Sequence, residues 1–172
     1  LNAAIKAGAD SIYFGIGQLN MRARSARPFQ IEDLQEIVTT CVNAGVESYL
    51  TLNTIVYDDE LPLMRTICDA AKSAGVSAVI ASDVAAIQYA RQIGLPVHIS
   101  TQANISNIEA VRFYANFADV LVLARELTLE KIQAIHAAIE SEPILGPSGE
   151  PVKIELFVHG ALCVSISGKC YM

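Results

Sequence analysis

Apolar positions along the chain follow two alternating periods. Short strand-like runs fall at 11–15, 48–53, 78–81, 97–101, 120–124 and 154–159. Between them, apolar residues recur three and four apart at 31–43, 60–74, 84–93, 108–117 and 129–139, the spacing of one helix face. Leu1, Ala4, Ile5 and Ala7 carry the same spacing ahead of the first run, and Gly8 reads as its stop. Asp83 predicts a cap for the helix opening at Val84. Ser106 with Glu109 fits a capping box. Gly45, Gly75 and Gly94 sit just past helix ends, where a left-handed residue closes the last turn.

Strictly alternating strands and helices imply parallel strands joined by helical crossovers. Ala78-Val79-Ile80-Ala81 and Val120-Leu121-Val122-Leu123-Ala124 are apolar on both faces, as in a sheet covered on both sides. Polar residues then choose between an open doubly wound sheet and a barrel. They recur at the carboxyl end of nearly every run: Asn53; Ser82 and Asp83; Thr101, Gln102 and Asn104; Arg125 and Glu126; His159. A (β/α) barrel builds its site from many strand ends, whereas an open sheet gathers it at one switch point. Period-two rows (Tyr49, Thr51, Asn53; His98, Ser100, Gln102, Asn104; Glu155, Phe157, His159) would line a polar lumen. The expected fold is an α/β, incomplete TIM-like (β/α) barrel with parallel strands, one partial domain over 1–172. The opening inside a helix and the unfinished ending at Met172 suggest a segment of a longer protein, lacking the first strand and a C-terminal remainder.

Composition narrows the function. The 172 residues are 52% hydrophobic and 17% charged, which excludes disorder. No apolar run approaches the ~18 residues of a membrane span, and no signal peptide is recognisable, so the expected location is cytoplasmic. The net charge of -6 argues against nucleic-acid binding by the segment as a whole. Cys41 and Cys68 lie in helical patterns and read as buried core residues. Cys163 and Cys170 differ, lying in a Gly- and Ser-containing stretch after the last run. An exposed barrel edge also predicts an oligomer, or cover from missing parts of the chain.

Two stretches interrupt the rhythm. The loop at 17–28 carries Arg22, Arg24 and Arg27, which read either as a solvated loop or as a holder for an anion, since guanidinium pairs bidentately with carboxylate or phosphate. The stretch 141–151 precedes a strand and reads as a surface insertion at the opposite face. His98, His136 and His159 are scattered and form no zinc motif. A peptidase would need His159 as base, Cys163 as nucleophile and Glu126 orienting the histidine, but no known protease signature surrounds them. A non-catalytic binding domain would use Arg22, Arg24 and Arg125 for an anion, with Asn53, Gln102 and Asn104 as orienting amides.

The run from Glu155 through Phe157, Gly160 and Cys163 to Gly168, Cys170 and Met172 closely resembles the signature of peptidase family U32, the collagenase-like proteins. Ser100-Thr101-Gln102-Ala103-Asn104, Arg125-Glu126-Leu127 and Asn20-Met21-Arg22-Ala23-Arg24 resemble further family motifs, so the likeness spans the segment. A usual opening strand with Pro-Ala-Gly and later cysteines are missing. The resemblance implies either proteolysis or hydroxylation of an RNA base or a similar substrate. In the hydroxylation case it implies a [4Fe-4S] cluster in the full-length protein, with Cys163 and Cys170 as two of four ligands and no intact cluster in this segment. A small organic acid would donate oxygen at the same rim. His159, Glu126 and Glu155 are then the catalytic candidates, and Arg22, Arg24, Asn53, Gln102, Asn104 and Arg125 the substrate contacts.

Overall fold

The computed structural model describes residues 1–21, 29–160 and 166–167. The chain divides into two compact units, Leu1–Pro96 and Val97–Met172. In the first, β1 (Ser11–Phe14), β2 (Glu47–Leu52) and β3 (Ala78–Ala81) alternate with α2 (Leu34–Asn43) and α3 (Leu61–Ala74), after a short α1 (Asn2–Lys6) and before α4 (Val84–Gln92). In the second, β4 (Val97–Ile99), β5 (Val120–Val122) and β6 (Lys153–Glu155) alternate with α5 (Ile108–Ala115) and α6 (Leu129–Ser141).

Among the described residues, the strand-to-strand pairings within each unit are parallel and between chain neighbours. Ser11 lies opposite Glu47 and Phe14 opposite Leu50, while Tyr49 pairs with Ala78 and Leu52 with Ala81. In the second unit His98 pairs with Val120, and Val120 in turn with Lys153. Serial order without a reversal is the order of a barrel. Six parallel strands with helices between them make this an incomplete (β/α) barrel fold. Within each unit the strands point the same way, so the loops that follow them leave from one face.

The predicted elements are present, most strands ending earlier than expected and α6 running on to Ser141. β4 stops at Ile99 because Thr101–Ala103 winds into a 3-10 turn, and Asn104 closes that turn at φ 54°. Asn tolerates this left-handed conformation better than most residues, because its short amide can bond locally. Gln102 and Asn104 therefore leave the alternating row that the sequence pattern suggested. β6 stops at Glu155, so Phe157 and His159 do not continue a strand row either. The cap of α5 is Asn107, whose side chain accepts from Ala110 N at 3.0 Å, and not Ser106.

The core matches the periodicity. All four β3 residues are buried, as a strand covered on both faces requires. Cys41 and Cys68 are fully buried on α2 and α3. Burial raises the Cys41 thiol pKa, and burial followed by the nearby Asp69 charge pushes that of Cys68 up to about 12. The 141–151 stretch is a closed turn pinned to Asp119, just ahead of β5. Ser148 donates to Asp119 Oδ1 from its backbone N–H at 3.0 Å and its hydroxyl at 2.7 Å. The insertion thus sits at the amino end of the strands of its unit. Among the described residues, no helix is long and apolar enough to cross a membrane.

Asp83 shows how strand ends are spent on structure. Its Oδ1 accepts from Ala85 N at 2.8 Å, capping α4, and its Oδ2 accepts from Val56 N at 3.2 Å in the loop after β2. Replacing Asp83 with Ala strands both donors. Urea unfolding should register a loss of about 1–2 kcal/mol, with an unchanged m-value; a loss indistinguishable from zero would mean that water replaces both bonds.

Candidate functional site

Each unit presents its own set of strand-end side chains. In the first, the loop after β1 turns sharply at Leu19 (φ 62°) and is tied by Asn20, a side chain only 4% exposed. The Asn20 amide donates to the carbonyl of Ile16 at 3.0 Å, of Gln18 at 3.2 Å and of Gly17 at 3.3 Å. The same amide packs against Gly15, where any Cβ would collide with it. Asn53, just past β2, accepts from Met21 N at 3.2 Å through Oδ1 and from the Ser82 hydroxyl at 3.2 Å through its backbone carbonyl. The predicted amide at Asn53 therefore holds the residue directly before Arg22. Arg22, Arg24 and Arg27 lie outside the described residues. Thr54 Oγ1 is buried without a hydrogen-bond partner among the described residues, so hydrogen-bonding capacity is unspent at this strand end.

In the second unit the strand ends converge on Ser167, which falls in the Gly- and Ser-containing stretch after the last run. It is 2% exposed. Its hydroxyl lies 3.3 Å from the Thr101 hydroxyl and accepts from Arg125 N at 3.4 Å, and its own N–H donates to Glu126 Oε1. Thr101 has one hydroxyl proton and two acceptors in reach, Ser167 Oγ and the Leu123 carbonyl, each at 3.3 Å. One serine thus joins the 3-10 turn after β4 to the loop after β5.

Glu126 responds to these neighbours. Desolvation pulls its carboxyl upward. Hydrogen bonds from the Ser167 N–H, its own N–H and the Ser167 hydroxyl, with the positive charge of Arg125, outweigh that effect and hold it below the ordinary 4.5. At neutral pH it is a carboxylate committed as an acceptor. Glu155, at the end of β6, shifts the other way, because surrounding chain desolvates its carboxyl even though the residue keeps an exposed surface. Its main-chain carbonyl accepts from Leu123 N at 3.1 Å.

The other candidates are more separate. Gln102 receives a hydrogen bond from the Ser100 hydroxyl at its Oε1, and Ser100 in turn caps the 3-10 turn. Asn104 is exposed beside it. His159 is exposed, and among the described residues no hydrogen bond or ion pair joins it to Glu126. His136 is a surface helix residue, 3.4 Å from Glu140 one turn on. Cys163 and Cys170 lie outside the described residues. Among the described residues, no group of three or more His, Cys, Asp or Glu could hold a metal ion. Cys41 and Cys68 do not fit as cluster ligands, since burial keeps both protonated and a ligand must be a thiolate.

Two results follow from this geometry. Gly15→Ala should destabilise the protein, and should do so less in an Asn20→Ala background, where the colliding amide is gone. A double-mutant cycle by denaturant unfolding should give a coupling of about 1 kcal/mol, and strict additivity would show that the two residues do not touch. Glu126, with its lowered pKa, stabilises the fold fully above 4.5 and loses that contribution as pH falls through its lower folded value. The stability difference between native protein and Glu126→Gln should therefore shrink on acidification below 4.5. Glu155, with its raised pKa, weakens the fold as pH rises past 4.5, so Glu155→Gln should unfold at higher denaturant than the native protein at pH 7. A reversed sign in either titration would contradict these environments.

Comparison with known proteins gives these features a family. A collagenase of Porphyromonas gingivalis is 60% identical over 172 residues, covering 100% of this chain and 42% of that protein. A 23S rRNA 5-hydroxycytidine synthase of Escherichia coli is 37% identical, covering 98% of this chain and 24% of the relative. The chain thus spans less than half the length of these relatives. A solved structure of a U32 peptidase superimposes with a TM-score of 0.63 at 19% identity, over 87% of this chain and 60% of that one, and so shares the fold. The sequence also matches Peptidase family U32 along residues 1–172, every position of it. The chain belongs to peptidase family U32.

Proposed function

We propose that the whole protein hydroxylates an RNA base or a similar substrate, using an iron–sulfur cluster to which Cys163 and Cys170 contribute two of four thiolates. The remaining thiolates come from outside this segment, because Cys41 and Cys68 are core residues. In balance, a C–H of the substrate becomes C–OH, and the oxygen atom leaves a small organic acid that acts as donor. A cluster, when bound, supplies the one-electron chemistry of such a transfer. The chain's own residues do the rest. In the second unit Arg125 is the group suited to the donor's carboxylate, with Gln102 and Asn104 to orient the substrate; in the first, Asn53 fixes Met21, the residue before Arg22 and Arg24, which are themselves suited to an anion. His159 and Glu155 are the groups available to move protons at this face, since Glu126 is occupied by Ser167.

One observation carries this reading: Ser167, between the two late thiols in sequence, is buried in a polar socket at strand ends. That is where a (β/α) barrel does its chemistry. The relative named for 5-hydroxycytidine synthesis supports the substrate class. Because the segment is acidic, basic RNA-binding surface would come from the remainder of the protein. The apolar groove between α6 and β6, bordered by Ile132, Ile139, Ile154 and Leu156, supports cover by that remainder or by a second copy.

The 60% identical relative named collagenase favours a second reading, a peptidase acting through His159 and Cys163. That reading needs a base held by a third group, and the carboxylate nominated for the purpose, Glu126, is bonded to Ser167 instead. Iron and sulfide analysis of anaerobically purified full-length protein decides between them. The hydroxylation reading expects both elements in the native protein and their loss in Cys163→Ala. Absence of iron, with peptide cleavage abolished in Cys163→Ala and His159→Ala, would establish the peptidase instead.

A further inference from the structure

α6 and β6 leave a groove of about 650 Å³ between them, with an apolar floor from Ile132, Ile139, Ile154 and Leu156 and a polar lip from Gln133 and Glu140. We propose that in the whole protein a stretch of chain following Met172 fills this groove, laid as a further parallel strand on the open edge of β6. The inference goes beyond the proposed function and holds whether the protein hydroxylates or cleaves.

The backbone of β6 is half spent. Among the described residues β6 has β5 on one side and no strand on the other. The Lys153 N–H donates to the Asp119 carbonyl at 2.8 Å, and the Glu155 carbonyl accepts from Leu123 N at 3.1 Å, so both residues face β5. Strand alternation turns the N–H and C=O of Ile154, which lies between them, to the other edge. At Val152 that edge is already taken, because the Val152 N–H donates to the Ile144 carbonyl at 2.9 Å. The open part therefore starts at Ile154, where a new strand would find a donor and an acceptor waiting. The side chains match this opening. Ile132, His136 and Ile139 are spaced four and three apart on α6, one helix face, and they line the groove opposite Ile154 and Leu156. Leu156 is 37% exposed, so apolar surface at this edge is left in water. Chain order names the occupant. β4, β5 and β6 each lie parallel to a chain neighbour, and the next strand in sequence continues that series at β6. There is chain enough to supply it, since these residues span less than half the length of their relatives. A second copy fits less well. A twofold axis would set β6 antiparallel against itself, and three residues make too short a ladder to hold two chains.

The test is made on the full-length protein, with the photoreactive amino acid p-benzoylphenylalanine in place of Gln133 or, in a second variant, of Glu140 farther along the same groove. Both side chains are exposed, so the replacements spare the core. After irradiation in dilute solution, digestion and mass spectrometry identify what each position touches. Cross-links should form within one chain, to a peptide that follows Met172. Cross-linked dimers would seat a second copy in the groove, and cross-links to residues 161–172 or to sequence preceding Leu1 would seat another part of the chain. Either result overturns the proposal, as does the absence of cross-links from both positions. Hydrogen exchange in the unsubstituted full-length monomer, followed by NMR, tests the strand itself. The Ile154 amide should exchange at least about a hundredfold more slowly than in an unfolded chain. Exchange of Ile154 at the unfolded-chain rate, with the Lys153 amide still protected by its bond to Asp119, would mean that no strand joins β6 and overturns the proposal. If both replacements prevent folding, the Ile154 amide decides alone: protection supports the added strand, and its absence overturns it.

Discussion

A parallel strand buried on both faces can place polar side chains only at its ends. β3 is the plainest case, with four buried residues followed at once by Ser82 and Asp83. Because neighbouring strands in each unit run the same way, their carboxyl ends share a face, and the loops leaving that face carry Asn53, Asp83, Gln102 and Glu126. Burial of the strand interior is therefore what concentrates polarity. The hydrophobic term that stabilises the sheet also decides where a substrate can be met.

Much of that polarity is consumed by the loops themselves. Asp83 caps a helix, Ser100 caps a 3-10 turn, Asn20 gathers three carbonyls, and Asn53 holds Met21. These bonds are the cost of irregular backbone, whose N–H and C=O groups need partners once they leave the ladder. They have a functional consequence. A loop held by several hydrogen bonds presents its remaining side chains in a fixed geometry, and rigid presentation is what binding and catalysis require. Polar residues at the rim thus divide into those that shape it and those left to face a ligand.

This division explains what the sequence could disclose. Periods of two and near four revealed the strands and helices, since burial on one or both faces leaves a repeating mark. Asp83 was readable as a cap because its effect is local. Local signals also misled: Ser106 and Glu109 have the spacing of a capping box, yet Asn107 takes the role. The alternating row through Gln102 and Asn104 dissolved because a 3-10 turn leaves no mark in apolar spacing. Gly15 with Asn20, and Thr101 with Ser167, are contacts in space, and Ser167 has the sequence surroundings of any loop serine. Its neighbours Gly168 and Cys170, which carry the family resemblance, were the only hint that this stretch belongs near the strand ends.

In the second unit the strand ends hold the chain at Ser167, between the late thiols in sequence. Hydrogen exchange measured by NMR at the Ser167 amide addresses that hold directly. A buried N–H bonded to a carboxylate should exchange at least about a hundredfold more slowly than the same amide in an unfolded chain. Exchange at the unfolded-chain rate, with the amides of β4 and β5 still protected, would mean that Ser167 is not held and would contradict the account.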